Sequence, residues 1–140
     1  MSEDAPNGIA EVNTQGFETR RWPTEITYSK DDKTLTVAFD DARSFRLTAE
    51  LLRVESPSAE VQGHGPQQKQ VVAGRRHVGI MAIEPVGNYA VRLKFDDLHD
   101  TGIYSWQYLR RLGENQDQLW RDYLQALADR GLSRDPPRRG

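Results

Sequence analysis

Three consecutive stretches, Val78-Gly-Ile-Met-Ala-Ile83, Glu84-Pro-Val-Gly-Asn88 and Tyr89-Ala-Val-Arg-Leu-Lys-Phe95, carry the reading of the fold. The outer two hold the β-branched, aliphatic and aromatic residues that suit a pleated, half-buried surface. The middle one is a turn, because Gly87 and Asn88 tolerate a positive φ that most side chains resist. In the third stretch Tyr89, Val91, Leu93 and Phe95 fall on one face and Arg92 and Lys94 on the other. This antiparallel hairpin is therefore expected to be wet on one side.

Working toward the N-terminus, Glu25–Ser29 and Thr34–Phe39 repeat the two-residue period, with Leu35, Val37 and Phe39 on one face. The turn formers Ser29 to Lys33 between them make a second hairpin. A short strand, Ser44–Leu47, follows. Thr48 is placed to accept a hydrogen bond from an early helix N–H, so one short helix is expected before Pro57 ends it. Ser58 to His77 is poor in large apolar residues and reads as a long exposed loop.

Toward the C-terminus, Asp96 to Gly102 is too polar and too tight to continue a ladder. Ser105 caps a helix through about Leu112, with Gly113 as its stop. Asn115 with Gln118 resembles a capping box for a last helix, in which Leu119, Trp120, Tyr123, Leu124 and Leu127 recur at helical spacing until Gly131. Strands, helix, strands, helices, without alternating β-α-β units, define an α+β fold. It has a mainly antiparallel sheet of about five or six strands, a short helix after the third strand and two C-terminal helices packed on the sheet.

At 140 residues one core is the default. Apolar residues concentrate between Trp22 and Leu132, so residues 22–132 are read as a single domain. Residues 1–21 read as a flexible arm and 133–140, with Arg134, Arg138 and Arg139, as a disordered basic tail. No segment nears the roughly 18 apolar residues that span a bilayer, and no basic-then-apolar leader is visible, so a cytoplasmic protein without membrane contact is expected. A net charge of −2 supplies no global field for nucleic acid. Zero cysteines exclude disulfides, thiolate metal sites and a cysteine nucleophile.

Ionisable groups concentrate at one strand end, in Asp96, Asp97, His99 and Asp100. Carboxylates and imidazole at such spacing suit either a divalent cation or proton transfer, because both need lone pairs that converge. The other reading is structural: Asp96 and Asp100 accept backbone hydrogen bonds in the turn and His99 packs beside them. Arg53, Arg75, Arg76 and Arg92 are candidates for an anion site, with Arg75 and Arg76 read as solvated because they lie in loop composition. Tyr104, Trp106 and Tyr108 lie beside the polar loop, and such aromatic groups line ligand pockets or build core. There is no phosphate-binding glycine loop, no nucleophile elbow and no zinc-protease helix.

Leu51-Leu-Arg-Val-Glu-Ser-Pro-Ser-Ala-Glu60, Ile83-Glu-Pro-Val-Gly-Asn-Tyr-Ala-Val-Arg-Leu93 and Phe95-Asp-Asp-Leu-His-Asp-Thr-Gly-Ile-Tyr-Ser-Trp-Gln-Tyr-Leu109 together resemble the DUF971 family, the gamma-butyrobetaine hydroxylase-like N-terminal domains. The likeness runs from about Trp22 to Leu112. It implies an accessory module that precedes an oxygenase domain in the hydroxylases and is appended to iron-sulfur cluster carriers elsewhere. It further implies that Ser56, Ser58 and Val61 stand where the hydroxylases carry three zinc-binding cysteines, and His99 at the fourth ligand. Three of those ligands are absent here, as is the oxygenase domain. Leu98 stands where the family loop has glycine, which implies a less extreme backbone angle in this turn.

The expectation is a noncatalytic binding or adaptor module, with no cofactor, that meets a protein or small ligand through Arg53, Asp96, Asp97, His99, Asp100, Tyr104 and Trp106. The alternative is a metal-binding accessory domain of iron-sulfur or oxygenase systems, holding zinc or iron through His99, Asp97 and a loop histidine, His64 or His77.

Overall fold

The computed structural model describes residues 22–137; the expected arm at 1–21 and the last three residues of the tail lie outside them. Among the described residues six strands form two three-stranded antiparallel sheets. Strands β1 (Pro23–Ser29), β2 (Thr34–Phe39) and β3 (Ser44–Thr48) make the first, and β4 (Ile80–Val86), β5 (Ala90–Phe95) and β6 (Ile103–Ser105) the second. In the first sheet Val37 pairs with Ile26 on one side and Phe45 on the other. In the second, Glu84 and Ile103 flank Arg92.

Helix α1 (Ala49–Val54) starts where Thr48 requires it: Thr48 is extended and its Oγ1 accepts from the Leu51 N–H at 3.1 Å. Every residue of α1 is buried. Leu35, Leu47, Leu52, Leu93, Phe95, Tyr104, Leu109 and Leu112 join both sheets, α1 and α3 (Trp106–Glu114) in one core. A smaller cluster of Val54, Tyr123 and Leu127 sits under α4 (Gln116–Asp129), packed by Val71, Val72 and Ala73.

The β4–β5 hairpin differs from its pattern at Tyr89, which closes the turn by donating to the Val86 carbonyl and is 56% exposed, while Ala90 and Val91 are both buried. Gly113 does not stop α3. A Cβ there would fall 2.4 Å from Phe45 Cγ, so the helix runs through a glycine that lets it approach the first sheet. Asn115 forms no capping box. Its side-chain amide turns back to donate to the Arg111 carbonyl at 2.8 Å, closing α3, and leaves the start of α4 without a side-chain cap. Leu124 is 39% exposed rather than part of the packed stripe.

The Ser58–His77 stretch is more structured than its composition suggests, with helix α2 (Ala59–Gln62), a 3-10 turn at Pro66–Gln68 and the three residues that pack under α4. Ser133 to Pro137 is not a loose tail either. The Ser133 and Arg134 carbonyls accept from the Gly74 and Arg76 N–H groups, each at 2.9 Å, and Arg134 is drawn onto Glu50. Among the described residues no helix is long and apolar enough to cross a membrane.

Candidate functional site: a locked polar loop

The loop between β5 and β6 is closed by its own backbone. The Leu98 N–H donates to the Phe95 carbonyl and the Phe95 N–H to the His99 carbonyl, each at 3.0 Å. That geometry places Leu98 at φ +74°. The expected relaxation of this turn does not occur: leucine occupies the left-handed angle that suits glycine, because the two flanking hydrogen bonds dictate it. The Leu98 side chain is 82% exposed.

Asp97 fixes the base of the loop. Its Oδ2 accepts from Arg53 Nε at 2.7 Å and Arg75 Nε at 2.6 Å, and its Oδ1 accepts from the His99 N–H at 3.1 Å. Burial opposes its ionisation, but Arg53, the His99 N–H and Arg75 outweigh that and hold the carboxyl below the usual aspartate value. Arg75, read from sequence as solvated, is thus part of the site. Among the described residues, Arg53 Nη1 is the one buried side-chain nitrogen that finds no acceptor.

His99 faces the α1–α2 connection. Its Nε2 lies 3.0 Å from Ser56 Oγ and 3.4 Å from Ser58 Oγ, and the two hydroxyls are 3.1 Å apart. Ser56 is wholly buried. Gly102 makes room for it, since a Cβ at 102 would come within 2.6 Å of Ser56 Oγ. Burial, then Arg53, pushes the His99 pKa down, against the opposing pull of Glu60, Asp97 and Asp100. Thr101 ties the far side of the loop to α2 by donating to Glu60 Oε1 at 2.6 Å.

The remaining candidates scatter. Asp96 and Asp100 are exposed. Asp96 donates its N–H to the Gly79 carbonyl, and its side chain borders an open cleft of about 270 Å³ with Asp97, Arg75, His77 and Pro136. Tyr104 has no exposed surface, and its hydroxyl donates to the Leu52 carbonyl, so it builds core and cannot touch a ligand. Trp106 is half-buried and donates Nε1 to the Asn88 carbonyl at 2.9 Å. Arg76 pairs with Asp135, and Arg92 and Lys94 with Glu84, so the arginines do not gather into one anion site.

Zinc in a site of this kind needs four converging soft or imidazole donors. Two neutral hydroxyls and the apolar Val61, itself buried, leave His99 as the single ordinary ligand, and its Nε2 is turned onto the hydroxyls. Among the described residues no three His, Asp or Glu side chains converge on a point where an ion could sit. The residues present do not fit the metal, and neither His64 nor His77 joins His99 and Asp97.

Two antiparallel sheets over a shared core, with a polar loop clamped to a buried helix, define a small α+β domain. The model for "Gamma-butyrobetaine hydroxylase-like, N-terminal" matches residues 26–110, and the chain belongs to that family. One protein solved by NMR in solution is 49% identical over 85% of this chain and 94% of its own, with a TM-score of 0.74. A second NMR structure is 43% identical over 91% and 96%, with a TM-score of 0.75. A crystal structure of a DUF971 family protein of unknown function from Acidithiobacillus ferrooxidans is 43% identical over 65% of this chain and 91% of its own, with a TM-score of 0.56. No curated protein matches.

Proposed function

We propose that this chain is a noncatalytic, cytoplasmic binding module that presents the tip of the Phe95–Thr101 loop to a partner protein. The observation that carries the reading is Leu98, a large apolar side chain 82% exposed at φ +74°. Holding a leucine at that angle costs about 1–2 kcal/mol, and exposing it recovers nothing within the fold. A rigid apolar knob on a braced polar loop is how a binding anchor is built, since the loop loses little entropy on docking.

The polar groups around it support binding over catalysis. Ser56 and His99 stand at the separation of a nucleophile and its base, but Ser56 is sealed from any substrate. Both carboxylate oxygens of Asp97 are engaged by neighbours and serve the architecture of the loop. The module needs no metal for this role.

A photo-crosslinking residue placed at position 98 in cells tests the reading. A discrete protein adduct is expected, and it should be absent when the same residue is placed at Leu124, which is also exposed. Indistinguishable adduct patterns from the two positions would overturn it.

A further inference from the structure

Glu50 opens α1 inside the core, and its side chain is only 6% exposed. A carboxylate so placed needs a cation, because a buried unpaired charge is far more costly than a solvated one. The cation comes from the other end of the chain. Arg134 Nε and Nη2 donate to Glu50 Oε2 and Oε1 at 2.9 and 2.7 Å, a two-pronged fork. The guanidinium also lies 5.0 Å from the centre of the Trp120 ring. A buried carboxylate with an aromatic wall is a socket shaped for guanidinium rather than for an ammonium point charge.

What fills the socket is held differently from what builds it. Ser133, Asp135, Pro136 and Pro137 are all exposed and bury no apolar side chain in either core cluster. The segment leaves α4 through Gly131 at φ +65°, a position with open space around it. It is held by two backbone hydrogen bonds to Gly74 and Arg76, by the Arg76–Asp135 pair and by Arg134 itself. The socket belongs to the core, whereas its occupant is a peripheral strap that adds no apolar side chain to either core cluster, so a second segment that supplies a guanidinium to Glu50 can take its place.

We infer that Glu50 and Trp120, with the Gly74–Arg76 backbone beside them, form a recognition site for an extended peptide segment of a partner protein that carries arginine followed by an acidic residue. Ser133 to Pro137 is the ligand in cis. The inference is independent of the role assigned to Leu98. A tethered segment competes at an effective concentration of about millimolar, so a partner peptide engages wild type weakly and engages a vacated socket well.

The test is a titration of the ¹⁵N-labelled full chain, as Arg134→Ala, with the peptide acetyl-Ser-Arg-Asp-Pro-Pro-amide, following the Trp120 indole and the Gly74 and Arg76 amides. Saturable shifts at these sites are expected, at least about tenfold weaker in wild type. They should be lost with lysine in place of the peptide's arginine and lost in Arg134→Ala combined with Glu50→Gln. A folded Arg134→Ala protein that shows no shifts at those sites, or shifts that survive Glu50→Gln, overturns the proposal and leaves Arg134 a purely internal anchor. Should Arg134→Ala not fold, Asp135→Ala decides instead. It loosens the strap by removing the partner of Arg76 while Glu50 stays paired and Arg76 stays available to the peptide's acidic residue, so it must take up the peptide more readily than wild type; equal uptake is the overturning result.

Discussion

Ser56 Oγ lies 3.0 Å from His99 Nε2, so the α1–α2 connection and the β5–β6 loop meet through a hydrogen bond between a buried hydroxyl and an imidazole. In the family resemblance these two positions, with Ser58 and Val61, are zinc ligands. Here hydroxyl and ring hold the two loops together directly. Ser56 Oγ also accepts from the Ser58 N–H at 3.3 Å. Ser56→Ala therefore leaves buried groups without partners and should cost about 1–3 kcal/mol in urea denaturation. A loss of only a few tenths would mean the contact joins nothing.

The same convergence can be tested from the opposite side. Combining Ser56→Cys, Ser58→Cys and Val61→Cys with His99 supplies the three thiolates that zinc requires, two of them at positions already beside the His99 ring and the third one turn into α2. Metal analysis of the purified triple variant should find stoichiometric zinc. A folded, zinc-free triple variant would show that these loops, though adjacent, do not aim the four positions at one point.

Leu98→Gly relieves a left-handed angle that leucine adopts unwillingly and glycine freely. The gain is reduced by the greater freedom of glycine in the unfolded chain, leaving a stabilisation of up to about 1 kcal/mol. The variant should no longer co-purify with the partner that position 98 captures, while melting no lower than wild type. A lower melting temperature would show that Leu98 contributes to the fold itself.

His99 sets a pH window. Its folded pKa is depressed, chiefly by burial, from an ordinary histidine value of 6.5. The unfolded chain therefore takes up a proton at a higher pH than the folded one. Stability should be level above about pH 6.5 and decline as pH falls toward the folded pKa. Asp97 is depressed as well, and its contribution is lost only as pH falls below the ordinary aspartate value of 3.8, so the two windows are separate. Denaturant midpoints for wild type and His99→Gln between pH 7.5 and 5 should diverge at the upper end and converge at the lower. Parallel curves would contradict the neutral, hydroxyl-facing ring.

Local signals were legible and distant ones were not. Thr48 and Ser105 announce their helices because a cap bonds an N–H three residues on, and both bonds form. The hairpins and the α+β order follow from two-residue periods in the same way. The partners of Asp97 lie 44 and 22 residues away, and the surrounding loop composition gives no hint that Arg75 turns inward. The Ser56–His99 contact spans 43 residues and could be anticipated through family resemblance alone. Arg134 reads as tail in the sequence because its buried partner is 84 residues upstream.

Asp97 and Arg53 should respond unequally to substitution. Asp97→Asn withdraws the carboxylate from two arginines at once, and the Arg53 side chain is only 9% exposed, so an unpaired buried cation remains. The cost should be about 2–4 kcal/mol. Arg53→Met removes a guanidinium that already has one unbonded nitrogen and leaves Asp97 paired with Arg75, so it should cost about 1 kcal/mol or less. Denaturation of both variants checks the order, and Arg53→Met as the more damaging change would contradict it.

Gly113 supplies the last prediction, since helix propensity and packing pull in opposite directions there. In the last turn of α3, where Gly113 is the penultimate residue, alanine is favoured over glycine by at most about 1 kcal/mol. Its methyl would arrive 2.4 to 2.8 Å from three atoms of Phe45, whose ring packs at 6.0 Å from Phe39 and lies under Arg43 and Arg110. A ring so enclosed cannot swing away as the end of a flexible chain would, and forcing it or the helix aside costs about 1–3 kcal/mol. Gly113→Ala should therefore lower stability by up to about 2 kcal/mol despite the better helix former. In Gly113→Ala combined with Phe45→Ala the alanine at 113 should become favourable, so the two changes should be non-additive in a double-mutant cycle. Additive changes would mean that the helix does not rest on Phe45 and that Gly113 is an ordinary last-turn glycine.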